Sequence, residues 1–360
     1  MNDSSSVSIF EQMGSQSHEL LLFCHDKATG LKAIIGVHNT LLGPAMGGLR
    51  MYPYHNEEAA LQDVLRLSRA MTYKNALAGI HVGGGKAVII GDPLVHKSEA
   101  LLRRFGIFLN NLAGKYYVAS DVGIKPTDLE YIKLETPYVV GVDQHLGGSG
   151  DSSPLTAYGV YLGMKAAVQH AEGHNSLSGK KIMVQGVGKV GSKLVKYLVK
   201  EGAEVSVYDV NQQAVNEVVQ QFGVKAVEGQ DVVNAEVDIL SLNALGGVLN
   251  SESIPNLRCK MIVGGANNQL LNEEVDSLAL RERGILFVPD FMVNAGGIIN
   301  VSQELHGYHP EVAKRITKKI YDTTLQVLHF ASTSDMTPLQ AAMAQAEKRI
   351  KEVGNNRLYR

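Results

Sequence analysis

The sequence predicts an α/β protein of two domains separated by a cleft: an N-terminal α/β domain and a Rossmann-type doubly wound domain. Three observations predict it. Short apolar runs alternate with amphipathic stretches, glycines fall at the joints between them, and Gly186-Val187-Gly188-Lys189-Val190-Gly191 stands between an apolar run and a helical one. At 360 residues the chain also exceeds one ordinary core, and its 37 glycines punctuate it at turns.

Taken in order, Glu19–Cys24 and Lys32–His38 read as strands joined through the turn Ala28-Thr29-Gly30. A helix follows. Asn56 caps it, Glu57 and Glu58 suit the positive end of its dipole, and Ala60, Leu61, Val64, Leu65, Leu67 and Met71 form its apolar stripe, with Lys74 near its end. Lys86–Ile90 is a short strand closed by Gly91-Asp92-Pro93, and Ser98 caps a helix reaching about Leu112. Lys115–Ala119 is a further strand with Asp121 just beyond it, so polar residues gather at strand ends, where open sheets hold ligands.

Gly147-Gly148-Ser149-Gly150 marks the linker, which gives a first domain over residues 1–147 and a second over 148–334. A long helix from Ser153 to about Ala171 opens the second domain. Strand Lys181–Gln185, the glycine turn, helix Ser192–Lys200 and strand Glu204–Tyr208 make one βαβ unit, continued by Val237–Leu242, Met261–Val263 and Ile285–Val288. The terminal stretch 335–360, helical over Pro338–Val353, can pack on either domain.

The 34 basic and 36 acidic residues give a net charge of −2 with no long run of either sign, which argues against nucleic-acid or membrane partners and for a small molecule. Cys24 and Cys259 lie far apart and form neither a disulfide framework nor a metal spacing, as in a reducing cytoplasm. Met1–Ser6 carries no basic segment followed by an apolar one, and no stretch is long and apolar enough to span a bilayer. The expectation is a cytoplasmic protein.

Gly186 permits a tight turn, Gly188 a close approach of backbone to pyrophosphate, and Gly191 close packing of helix on sheet. Val187, Lys189 and Val190 complete the turn, and Asp209 ends the next strand, where a carboxylate bonds ribose hydroxyls and repels a 2′-phosphate. This favours NAD over NADP; the plain alternative is a turn whose glycines serve packing only. Gly83-Gly84-Gly85-Lys86 is not a mononucleotide loop, because Ile80 stands at the first glycine of that motif and Ala87 at its hydroxyl.

Lys74, Lys86 and Asp121 suit an amino acid zwitterion, although each has a reading as a surface charge, and Asp121 as a cap before Pro126. Gly43-Pro44-Ala45-Met46-Gly47-Gly48, Met71-Thr72-Tyr73-Lys74, Gly83-Gly84-Gly85-Lys86 and Asn294-Ala295-Gly296-Gly297, in this order, resemble the amino acid dehydrogenases of the glutamate, leucine, phenylalanine and valine family, nearest its leucine branch. The likeness runs from about Phe10 to Ile350.

The resemblance implies that Lys74 binds the substrate carboxylate, Lys86 is the acid/base and Asp121 assists proton transfer, with Gly47 and Gly48 beside the substrate. A lysine near another cation in a drying site has its charged form disfavoured, so Lys86 can act as a base. The triglycine then leaves room for substrate at the strand end. The resemblance further implies Ser152 and Thr156 near a nicotinamide, with the loops Asn243-Ala244-Leu245-Gly246 and Ala266-Asn267-Asn268. Arg50 pairs with cofactor phosphate or with a surface acid. Leucine enzymes usually have cysteine where Asn243 stands and threonine where Leu49 stands. No metal is implied, and His81 reads as structural or solvated.

The side-chain pocket of the leucine enzymes corresponds to Met46, Ala119, Ile298 and Val301, all apolar, which implies a branched-chain substrate, NAD-linked oxidation to a 2-oxo acid and ammonia, and a homo-oligomer. These positions also suit a plain core. The rivals are a phenylalanine or tryptophan dehydrogenase on the same scaffold and a non-catalytic NAD-binding sensor.

Overall fold

The computed structural model describes residues 8–229 and 231–357, so the polar tail Met1–Ser6 falls outside the described residues. The chain separates into two compact units. One takes the described chain up to Asp151 together with Val301–Tyr308 and the chain from Lys348; the other takes Ser152–Asn300 and His309–Glu347.

The first unit is built on a sheet of β1 (Leu20–Asp26), β2 (Leu31–Asn39), β3 (Ala45–Tyr52), β4 (Gly83–Ile90) and β5 (Tyr116–Ser120), in the order β1-β2-β4-β3-β5. β1, β2 and β4 run antiparallel, whereas β3 is parallel to both β4 and β5. Its helices are α1 (Ile9–Gln16), α2 (Glu57–Leu77), α3 (Glu99–Asn110) and α4 (Pro126–Lys133). Asn56 caps α2 by accepting the Ala59 N–H, and Ser98 caps α3 through the Leu101 N–H.

Side chains alternate across this sheet with the period of a strand. Ile34 and Val88 pack with Ala60, Leu61, Val64 and Leu65 of α2, whereas Ile35, Leu49, Ala87 and Ile89 pack with Leu101, Leu102 and Phe105 of α3. Glu304 returns to this unit and accepts the Gly141 and Ser149 N–H groups at 3.0 and 2.7 Å.

One strand goes unassigned in the sequence, and one expectation changes. β3 is flanked by strands on both sides, although Gly-Pro-Ala-Met-Gly-Gly has the composition of a loop. β4 begins at Gly83, which puts Lys86 inside a strand and not at its end. Glycine lowers strand propensity, and only packing against the neighbouring strands restores the extended form.

The second unit carries a six-stranded sheet of β6 (Lys181–Gln185), β7 (Glu204–Tyr208), β8 (Lys225–Ala226), β9 (Ile239–Leu242), β10 (Met261–Ile262) and β11 (Leu286–Phe287). All pairs are parallel and the order is β11-β10-β9-β6-β7-β8, the doubly wound arrangement of two βαβαβ halves meeting between β6 and β9. Its helices are α5 (Ser153–Glu172), α6 (Gly191–Lys200), α7 (Gln212–Phe222), α8 (Asp231–Asn234), α9 (Glu273–Glu282), α10 (Asp290–Val293), α11 (Gly296–Ser302), α12 (Pro310–Thr333) and α13 (Pro338–Arg357), of which α11 and α13 cross the unit boundaries in sequence.

α12 is a helix that the sequence expectations leave out, although buried Ala313, Ile320, Val327, Leu328 and Ala331 recur at helical spacing. Its buried stripe includes Thr317 and Thr324, whose hydroxyls donate to the carbonyls of Ala313 and Ile320 at 2.8 and 2.7 Å. Cys24 and Cys259 are free and buried, one in each unit, and burial pushes their thiols up to about 12 and about 11.

Candidate active site

One face of the first sheet gathers the predicted residues. On β4, Lys86 shares the face of Val88; on β3, Gly48 and Arg50 lie opposite in pleat to buried Leu49 and Met51; on β5, Ala119 is in register with Gly48. Met46 belongs to the same set and is fully buried. This is the α2 face, and α2 carries Lys74, half-buried in its last turn.

β3 lies between β4 and β5, so Lys86 and Asp121 start on opposite sides of it. Their side chains meet across β3 because Gly48 has none: a Cβ there would sit 2.8 Å from Asp121 Cβ and 3.2 Å from Lys86 Nζ. Lys86 Nζ is 2.6 Å from Asp121 Oδ2, with side chains only 8% and 18% exposed. Burial would raise Asp121, but the Lys86 ammonium and the Arg50 guanidinium outweigh it and hold the carboxyl below its ordinary range. The charge found against Lys86 is therefore a carboxylate, opposite in sign to the cation on which the expectation of a disfavoured ammonium rested.

The triglycine does something other than admit a substrate. A Cβ on Gly83 would meet the Asn39 carbonyl oxygen at 1.9 Å, on Gly84 the Thr72 backbone nitrogen at 2.2 Å, and on Gly85 the Tyr116 ring at 2.7 Å. Helix α2 and Tyr116 occupy that room. Asn75 donates to the Gly83 carbonyl at 2.6 Å, and the Tyr116 hydroxyl donates to the Gly47 and Gly48 carbonyls at 3.0 and 3.2 Å. Gly47 is equally tight, its Cβ position lying 1.9 Å from the Gly85 oxygen. Thr72, Asn75 and Tyr116 thus shape the site, and nothing in their spacing announces it.

Arg50 is committed within this unit. Its Nε lies 3.2 Å from Asp121 Oδ2 and its Nη1 2.9 Å from Asp63 Oδ2.

In the second unit the three motif glycines differ in kind. Gly186 has φ +88°, a Cβ on Gly191 would lie 1.8 Å from the Gly186 oxygen, and a Cβ on Gly188 would meet nothing within 4 Å. Buried Val187 donates its N–H to Asp209 Oδ2 at 2.8 Å, and Asp209 Oδ1 accepts the Asn211 N–H at 2.9 Å. Lys189 is exposed and Val190 half-buried. The Asn243-Ala244 segment abuts Gly186, and the Asn243 N–H donates to Gln185 O at 2.7 Å, so the two loops adjoin where the strand order reverses.

Asn243 Oδ1 accepts the Gly265 N–H at 2.9 Å, next to buried Ala266, and Asn294 Nδ2 donates to Asn267 Oδ1 at 2.8 Å. Asn268 follows in the left-handed region at φ 54°. Asn294 Oδ1 is buried without a hydrogen-bond partner, and the position of a Cβ on nearby Gly297 is 3.1 Å from Thr156 Oγ1 and 3.5 Å from Ser152 Oγ. Open space at Gly188, an orphaned acceptor and a carboxylate at the end of β7 fit a dinucleotide. Ile298 is buried in this unit; Val301, grouped with the first, lies 3.3 Å from the Cβ position of Gly141. His81 is exposed, and no described helix is long and apolar enough to cross a membrane.

Two family models cover most of the chain. Residues 18–138 match the model of the Glu/Leu/Phe/Val dehydrogenase dimerisation domain, and residues 147–218 and 206–357 match that of Glutamate/Leucine/Phenylalanine/Valine dehydrogenase. Leucine dehydrogenase of Geobacillus stearothermophilus is 48% identical over 96% of this chain and 94% of its own length. Phenylalanine dehydrogenase of Lysinibacillus sphaericus is 44% identical over 95% of this chain and 91% of its own. The crystal structure of L-tryptophan dehydrogenase from Nostoc punctiforme aligns with a TM-score of 0.86 and 44% identity, covering 96% of this chain and 99% of that one. With both halves of the chain matched and near-half identity over nearly its whole length, this protein belongs to the glutamate/leucine/phenylalanine/valine dehydrogenase family of amino acid dehydrogenases.

Proposed function

We propose that the protein catalyses the reversible, NAD-dependent oxidative deamination of an apolar L-amino acid, leucine or another branched-chain substrate, to the 2-oxo acid and ammonia. The observation that carries the proposal is the buried Lys86–Asp121 pair over Gly48. NAD, held by Gly186–Gly191 and Asp209, would supply the acceptor for the hydride on the substrate Cα, and loss of that hydride converts the substrate amine to an imine. Lys74 binds the substrate carboxylate. Lys86 cycles between ammonium and amine, taking a proton from the water that attacks the imine carbon and returning it to the departing nitrogen. Asp121 Oδ2, 2.6 Å away, assists that transfer as a carboxylate, accepting a hydrogen bond from the Lys86 nitrogen and balancing the charge of the ammonium.

The glycine turn Gly186–Gly191 would hold the pyrophosphate and Asp209 the ribose hydroxyls. Each Asp209 oxygen spends one lone pair on a backbone N–H and keeps another for a hydroxyl, and its charge disfavours a 2′-phosphate. Asn243, Ala244, Ala266, Asn267, Asn268, Ser152 and Thr156 are assigned to the nicotinamide end. Met46, Ala119, Ile298 and Val301 offer no partner for a second carboxylate, which supports an apolar substrate; the phenylalanine and tryptophan enzymes among the relatives keep an aromatic substrate as the second reading. We also propose a homo-oligomer built through the first unit, whose edge strand β1 presents Phe23 at 52% exposure.

The test is the absorbance of reduced nicotinamide with NAD or NADP and a panel of branched-chain, aromatic and acidic L-amino acids. Turnover is expected with NAD and a branched-chain amino acid. A preference for aromatic substrates would select the second reading, and no turnover with any amino acid would reject both.

A further inference from the structure

The Lys86–Asp121 pair does not stand alone. Arg50 Nε donates to the same Asp121 oxygen that Lys86 holds, while its Nη1 reaches Asp63 on α2. Asp63 is fixed in turn: Tyr54 donates to its Oδ2 at 2.6 Å and Arg66 pairs with its Oδ1 at 2.9 Å. Arg50 and Asp63 are 20% and 13% exposed. Two carboxylates from different elements are thus bridged by one planar, always charged fork, which a lysine point charge cannot reproduce.

We propose that Arg50, tethered by Asp63 and Tyr54, is a positioning residue that keeps Asp121 ionised and aimed at Lys86. The inference rests on Lys86 and Asp121 being the proton-transfer pair. Three cations, Lys86, Arg50 and Arg66, face two carboxylates, Asp121 and Asp63, so the cluster carries a positive surplus around the groups that move the proton. The Lys86 and Arg50 contacts both fall on Asp121 Oδ2, and the Asp121 carboxylate also accepts the Val122 N–H. From the other face the Tyr116 hydroxyl feels the Asp121 charge, and burial with that charge pushes it well above its ordinary range. Burial would raise Asp63 too, but the Tyr54 hydroxyl, Arg50 and Arg66 offset it, so the tether stays charged.

The experiment is an infrared titration of Asp121 in the free protein, taken as the difference between each protein and its Asp121→Asn counterpart, for wild type, Arg50→Gln and Arg50→Lys. Circular dichroism and thermal unfolding establish that each is folded. In Arg50→Gln the carboxylate midpoint is expected to rise by about 1–3 pH units, the span typical of losing an adjacent opposite charge. Arg50→Lys is expected to recover most of that shift while kcat stays low, because charge returns without the fork. The acid limb of the pH dependence of kcat/KM should move with the midpoint. An unmoved midpoint in folded Arg50→Gln, or a change confined to a higher KM for NAD, would overturn the proposal and assign Arg50 to the nucleotide. The titration needs no turnover, so it stands apart from any failure of the proposed activity.

Discussion

Two glycine clusters in this protein look alike in sequence and do opposite work. Gly83-Gly84-Gly85 is crowded by the protein's own atoms: the Asn39 carbonyl, the α2 backbone and the Tyr116 ring lie where side chains would go. Gly186–Gly191 is crowded at Gly186 and Gly191 but open at Gly188. The first cluster brings helix and strand into contact so that Lys86 is correctly carried. The second leaves a place unfilled, which is what a ligand requires. Glycine content marks close approach in both cases, and only the neighbours reveal whether protein or ligand makes the approach.

The sharpest way to break this comparison is Gly84→Ala. The new methyl must displace the Thr72 backbone, not a flexible side-chain tip, so the first unit is expected to lose more than about 4 kcal/mol or fail to fold. A soluble variant with wild-type unfolding temperature would refute the crowding argument. Next in size is Lys86→Met, which keeps the stem and removes the ammonium. A loss of about 10²–10⁴-fold in kcat is expected. Nucleotide affinity, measured calorimetrically, should be unchanged, because the turn that would bind it belongs to the other unit.

How much of this was legible in the sequence depends on the distance over which each contact is made. Gly186, Gly191 and Asp209 were readable because the turn and the next strand form one local βαβ unit, and Asp209 does close back on Val187. Lys86 and Asp121 were recognisable by type, but not the fact that they meet across β3, since that depends on a strand whose glycines disguise it. Arg50, Asp63 and Tyr54 escaped altogether as a group: Arg50 to Asp121 spans 71 positions and Arg50 to Asp63 spans 13, and no period connects them. The triglycine misled because glycine permits a close approach without naming the partner.

A smaller effect sharpens the crowded side of the comparison through pH. Thr72, packed on Gly84, bonds His38 Nδ1 at 2.7 Å, and the His38 ring meets His18 edge-on at 4.7 Å. Burial, with the nearby His18 and Arg69, lowers His38 from 6.5 to about 4. Between these values the unfolded chain binds a proton that the folded chain refuses, so stability rises with pH and is lost as pH falls through this window. The loss should approach about 3 kcal/mol at about 1.4 kcal/mol per pH unit. Urea midpoints of wild type and His38→Asn from pH 7 to pH 4 give the measurement, with pH values bracketing the window; parallel slopes would remove His38 from the account.

The smallest stability effect belongs to Gly188→Ala, and it is the most discriminating. Gly188 is not among the positive-φ glycines, and its Cβ position meets nothing within 4 Å, so alanine adds no clash and restricts the unfolded chain. The unfolding free energy should stay within about 1 kcal/mol of wild type, on the stabilising side. NAD affinity should nevertheless fall, since the methyl occupies the space through which a pyrophosphate would approach the backbone. Destabilisation would mean that this glycine is crowded after all, like Gly84, and unchanged affinity would mean that the open space is not the nucleotide's. Either result would erase the distinction between a glycine kept for the fold and a glycine kept for a ligand.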